Sequence, residues 1–189
     1  YPRTPQDEPA AYAATQGLRF VVDENKYDNV RSIAWKGLLK PGLTAVKVGA
    51  KDTPMGRTPE IKAHGYDRFF YDPHSAELDF SDARYMGFVT WMDYDSALTL
   101  YGEENAHVFE STMSGESNST HYDDKPKWAV WGDAKRRRVR MVEIYYKMGG
   151  VWHEAIFTKG GDIVNHVSPY IDEYGQPENP IIAQCAYRD

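Results

Sequence analysis

Cysteine is nearly absent: Cys185 is the only one in 189 residues. Neither an internal disulfide nor a cysteine-built zinc site can form. A missing disulfide suits an intracellular or virion setting better than a secreted one. Long apolar runs are lacking as well. Mean hydropathy is -0.66, and no stretch approaches the roughly 20 apolar residues of a membrane helix, so no membrane partner is expected. No charged-then-apolar leader follows Tyr1, as a signal peptide would require. Both ends read as cut, which points to a fragment of a longer protein. Positive charge is not in excess: the formal net charge is -6, the wrong sign for coating nucleic acid over a whole surface. Only a local patch could touch it.

Catalytic signatures are missing in turn. Lys159 precedes Gly160-Gly161 and Asp162 follows, which is not the order of a phosphate-binding loop. No serine stands in a Gly-x-Ser-x-Gly elbow, and the histidines lack metalloprotease spacing. His121, Asp123 and Asp124 could be sketched as metal ligands, but their polar stretch offers none of the rigid support that a metal site needs. His153, Glu154 and Cys185 are left as residues of an unrecognised active site. The expectation is a protein without enzymatic activity, cofactor or metal.

What is present is a supply of core. Hydrophobic residues make up 41% and aromatics 14%, enough for one folded domain. Thr4 is a plausible helix N-cap with Pro5 at the first helical position. Val30, Ile33, Ala34, Trp35 and Leu38 then recur at helical spacing until Pro41-Gly42, with a break near Gly17 or Asn25. "LTAVKVGA" alternates as a strand, Pro54, Gly56 and Pro59 mark a loop, and "EIKAHGYDRFFYDP" and "DARYMGFVTWMD" read as further strands. Asp93 or Asp95 can cap a short helix that Gly102 ends. Residues 111–127 read as an exposed, mobile loop. From there a β-meander is expected, with a strand from Arg138 to Lys147, a tight turn at Gly149-Gly150, two more strands, and a proline-rich end. The fold class is therefore α+β: one unit with helices over about 1–42, mixed strands and a short helix over 43–110, and the meander over 128–189.

Three segments resemble the portal proteins of P22-type short-tailed bacteriophages. "YDPHSAELDFSDARYMGFVTWMDYDSALTLY" is similar to that family's aromatic-Asp-Pro, acidic spacer, Ser-Asp-Ala-Arg-Tyr and Trp-Met-Asp pattern. "RRRVRMVEIYYKMGGVWHEAIFTKGG" resembles its basic lead into two hairpin strands, and "SPYIDEYGQPENPI…AYRD" its Ser-Pro-Tyr and Tyr-Arg-Asp segments. The resemblance implies a structural part of a dodecameric ring at one capsid vertex, from the wing region. DNA is packaged and ejected through such a ring, and it works with terminase, capsid and tail proteins. The implied locations are the virion and, during assembly, the host cytoplasm.

The remaining feature is basic. Lys135, Arg136, Arg137, Arg138 and Arg140 fill five of six consecutive positions. They could pair, as an ordered strand edge, with carboxylates of a neighbouring subunit, around Asp72 to Asp82 or at Asp123-Asp124. They could touch DNA, or form a solvated entry into the strand. A nuclear-localisation signal suits neither a phage protein nor an ordered strand. A stand-alone nucleic-acid-binding module is the alternative function, with Trp91, Trp128, Trp131, Tyr145, Tyr146 and Trp152 either stacking bases or forming a core face.

Overall fold

The computed structural model describes residues 7–53, 56–117 and 130–187. The chain divides into two compact units: Tyr1–Tyr66 with Leu78–Phe80 and Pro180–Asp189, and Asp67–Glu77 with Ser81–Asn179.

In the first unit, α1 (Glu8–Glu24) and α2 (Tyr27–Leu39) accompany a three-stranded antiparallel sheet. Its order is β2 (Gly56–His64), β1 (Leu43–Thr53), β9 (Ile181–Cys185). The helix break falls at Asn25, where Lys26 takes a left-handed φ of 47°. The Asn25 side chain pins this corner to β2, donating to the Pro59 carbonyl at 3.0 Å and accepting from the Ile61 N–H at 2.8 Å. Thr4 and Pro5 lie outside the described residues; α1 begins at Glu8, with Pro9 in its first turn. Gly17 sits inside α1, and a Cβ there would meet nothing within 4 Å. Gly17→Ala is therefore expected to raise stability by about 0.5–1 kcal/mol, read as a higher midpoint in urea unfolding.

Alternation decides the faces of this sheet. Ala45 and its neighbours Ile181 and Ala183 are buried on one side. Val46, Val48, Ile61 and Ile182 point to the other, where α2 packs over β1 and β2.

The second unit is a six-stranded antiparallel sheet. Its path runs β3 (Phe69–Tyr71), β4 (Tyr85–Asp93), β6 (Arg138–Met148), β7 (Val151–Thr158), β8 (Gly161–Val167), with β5 (Gly132–Asp133) also paired to β6. Between β4 and β5 come α3 (Tyr94–Tyr101) and α4 (Ala106–Ser117). Their apolar sides meet the sheet in a core of Tyr94, Ala97, Phe109, Val139, Met141 and Ile156. Gly149 and Gly150, at φ 60° and 84°, make the tight turn between β6 and β7 that right-twisted strands require. The fold class is α+β, as expected.

Four local expectations need correction. The segment from Glu60 to Pro73 is not one strand: a 3-10 turn at Tyr66–Arg68 separates β2 from β3. Gly56 and Pro59 belong to β2 rather than to a loop, and Pro54 lies outside the described residues. Ser111–Ser117, expected as loop, are the last turns of α4, while 118–127 again lie outside. That helix escaped notice because its inward position is polar. Thr112 is fully buried and satisfied, bonding to the Val108 carbonyl, the Thr158 hydroxyl and the Gly160 N–H. Lastly, the proline-rich end carries β9, which leaves the meander and pairs with β1.

Candidate functional site: the basic β5–β6 turn

The basic run is split by its backbone. Lys135, Arg136 and Arg137 occupy the exposed turn after β5, whereas Arg138 and Arg140 belong to β6. β6 is an interior strand, with β4 on one side and β5 then β7 on the other. The reading of a strand edge is thus wrong for Arg138 and Arg140.

Two close packings hold the turn in place. Gly132 lies so near α4 that a Cβ would stand 3.0 Å from the Thr112 carbonyl oxygen and the Met113 Cα. Asp133 then accepts the Arg136 N–H at 3.0 Å, closing the turn as short acidic side chains do. The Arg137 carbonyl accepts the Tyr94 N–H at 2.8 Å, tying the exit of the turn to the start of α3.

Register sets the electrostatics. Arg138 is directly opposite Asp93 on β4 and Asp133 on β5, so a cation stands between two acids across three strands. Its Nε lies 3.0 Å from the Asp93 carboxylate. One step of two residues along β6, Arg140 is opposite Trp91 on β4, and its N–H reaches the Trp131 carbonyl at 2.8 Å. The Arg140 guanidinium lies 5.2 Å from the Trp131 ring centre, a cation–π contact, and burial draws its pKa below the ordinary arginine value. Arg137 sits 4.9 Å above the Tyr94 ring and 3.4 Å from Asp95, and Arg136 lies 3.9 Å from Asp133. Trp91, Val130, Gly132, Asp133, Arg136 and Arg138 line a groove of about 440 Å³ on this face. Exposed pairs of this kind contribute at most about 1 kcal/mol each; they orient the guanidinium groups rather than hold the fold.

Three of the five cations are therefore engaged by carboxylates of their own unit: Asp133, Asp95 and Asp93. The acids thought to face them from another subunit are bound locally. Asp72, buried, accepts the N–H groups of His74 and Arg84 at 3.0 and 3.2 Å. Asp82 accepts the Ser75 hydroxyl at 2.5 Å and the Ala76 N–H at 2.6 Å. The His74 N–H bond for Asp72, and the Ser75 bond followed by the Ala76 N–H for Asp82, hold both carboxyls below the usual aspartate value. Asp123, Asp124, His121 and Trp128 lie outside the described residues.

A family model for phage P22-like portal proteins matches residues 1–188. The chain belongs to the P22-like portal protein family. Among curated proteins nothing matches it.

The family is structural, and in this portal chain Glu154, His153 and Cys185 each have a local partner. Glu154 is buried and bonded to the Tyr145 hydroxyl at 2.7 Å. Burial first, then the Glu143 carboxylate, pushes the Tyr145 phenol far above the ordinary tyrosine pKa, so it stays a hydrogen-bonding core group. His153 stacks on Tyr146 with ring centres 5.5 Å apart. The Cys185 thiol donates to the Tyr187 carbonyl at 2.8 Å. Among the described residues, no group of three or more His, Cys, Asp or Glu side chains is placed to hold a metal ion, and no helix is long and apolar enough to cross a membrane. The aromatics divide: Tyr145 is fully buried, while Trp91 and Trp131 are half-buried beside Arg140.

The acid–base–acid row Asp93–Arg138–Asp133 was not foreseen. Its signal was faint, because β5 is only two residues long and a strand that short leaves no alternation to read.

Proposed function

We propose that this portal chain is a non-enzymatic wall segment, from the wing region, of a dodecameric ring at the capsid vertex. DNA is packaged and later ejected through that ring. Terminase, capsid and tail proteins dock on it, and the subunits pass through the host cytoplasm before entering the virion. Within this reading the basic turn is a contact between subunits rather than a grip on DNA. The observation that supports it is the pairing of Arg136, Arg137 and Arg138 with carboxylates of their own unit.

Magnitudes favour the same reading. Five free cations on phosphates would give a salt slope of about -4.5, and pairing three of them with carboxylates makes it shallower. A weak, nearly neutralised patch suits a surface past which DNA must slide. It also suits a head-to-tail subunit contact, in which one side presents donors in fixed positions to a different surface of its neighbour. Lys135 and Arg136 at the tip of the turn are the exposed donors of this patch.

Exchanging both for glutamate in the intact portal protein is expected to lower the yield of rings about tenfold or more, while melting of the isolated chain stays unchanged. Electron microscopy and gel filtration read the rings. Normal rings that have lost affinity for DNA would instead put the turn on the nucleic acid.

A further inference from the structure

We infer that α1 of one subunit seats in the apolar groove beside α2 of the next, so that a helix and a groove on opposite sides of one contact both come from the first unit. This rests on the ring reading above and names a surface for it.

None of the residues of α1 is buried. Ala11, Ala14, Leu18 and Val22 nevertheless follow one another at three- and four-residue spacing, with Leu18 67% and Val22 41% exposed. A helix this short draws most of its stability from packing an apolar stripe against something. The corner at Asn25 is pinned to β2, and no α1 residue lines the groove of its own chain.

The groove side is complementary. A sheet of three strands is roughly 14 Å wide, and one helix about 10 Å across cannot cover it. α2 lies over β1 and β2, which leaves the β9 flank open: Ile182, in register with Val46, is 66% exposed. The uncovered strip is a groove of about 400 Å³ between Val30, Ala34, Val46, Val48, Ile61 and Ile182.

Charge points the same way. α1 carries Glu8, Asp23 and Glu24 against one cation, Arg19. α2 carries Arg31 and Lys36 against one carboxylate, Asp28. A chain that displays both an unpacked helix and a matching groove makes a heterologous contact, the kind that forms a ring when its rotation closes.

The test uses two variants at exposed positions, where folding should be unaffected: Leu18→Glu on the helix and Ile182→Glu on the groove. Sedimentation velocity of the unaltered chain over a wide concentration range should show self-association. Each variant alone should associate more than about tenfold more weakly, because a charge is placed at the centre of the contact. Mixed in equal amounts, they should form a species that stops at a dimer, since one intact helix and one intact groove remain per pair. A monomeric unaltered chain, a variant that associates as well as the parent, or a mixture without dimer would each overturn the inference. Rings of the intact portal protein that persist with Leu18→Glu would overturn this contact and leave the ring reading standing. Absence of rings from the unaltered protein would sink the ring reading itself.

Discussion

Gly87→Val is expected to remove at least about 3 kcal/mol from the second unit, lowering its melting temperature by about 10 °C or more. Gly87 lies in the middle of β4, paired with Ile144 of β6 and Phe70 of β3. A Cβ at that position would run into the Glu143 carbonyl oxygen, stand 2.6 Å from the Phe70 ring and lie 3.0 Å from the Ile144 Cα. The ring could swing aside. The two backbone atoms belong to the central strand and cannot move without opening the β4–β6 ladder. Calorimetry on the chain decides it, and an unchanged melt would contradict the register of the sheet.

Arg138→Glu should cost about 1–2 kcal/mol, more than the loss of one exposed ion pair, because it adds repulsion across the sheet. The substitution turns the Asp93–Arg138–Asp133 row into three carboxylates directly opposite one another, and like charges in register repel. It also removes the bond from the guanidinium to the Trp91 carbonyl at 3.4 Å. Arg138→Met keeps the aliphatic stem and leaves the two acids further apart, so it should cost clearly less. Urea unfolding of the two variants separates charge from packing. The comparison also explains why Lys135 and Arg136, not Arg138, are the positions with which to probe assembly: a charge reversal at Arg138 would confuse a lost contact with a weakened sheet.

Much of this fold is legible in the residues. The helix break at Asn25, the stop at Pro41-Gly42 and the turn at Gly149-Gly150 each rest on local chemistry, and local chemistry needs no knowledge of distant neighbours. What escaped is tertiary. β9 is a strand because β1 offers it a partner more than 100 residues away. The end of α4 is a helix because Thr158 and Gly160 satisfy a buried threonine. The site shows the same division. Five cations in six positions are visible at once, but Arg138 meets Asp93 and Asp133 only through the register of β4, β5 and β6. Asp93 reads as a helix cap until the sheet aligns it, with Asp133, on Arg138.

If this chain forms part of a portal ring, the intact protein assembles into rings. Negative-stain electron microscopy of the intact portal protein tests it most directly. Twelvefold rings with a central opening wide enough for duplex DNA are expected. Small compact particles without an opening, at concentrations where portals assemble, would contradict it.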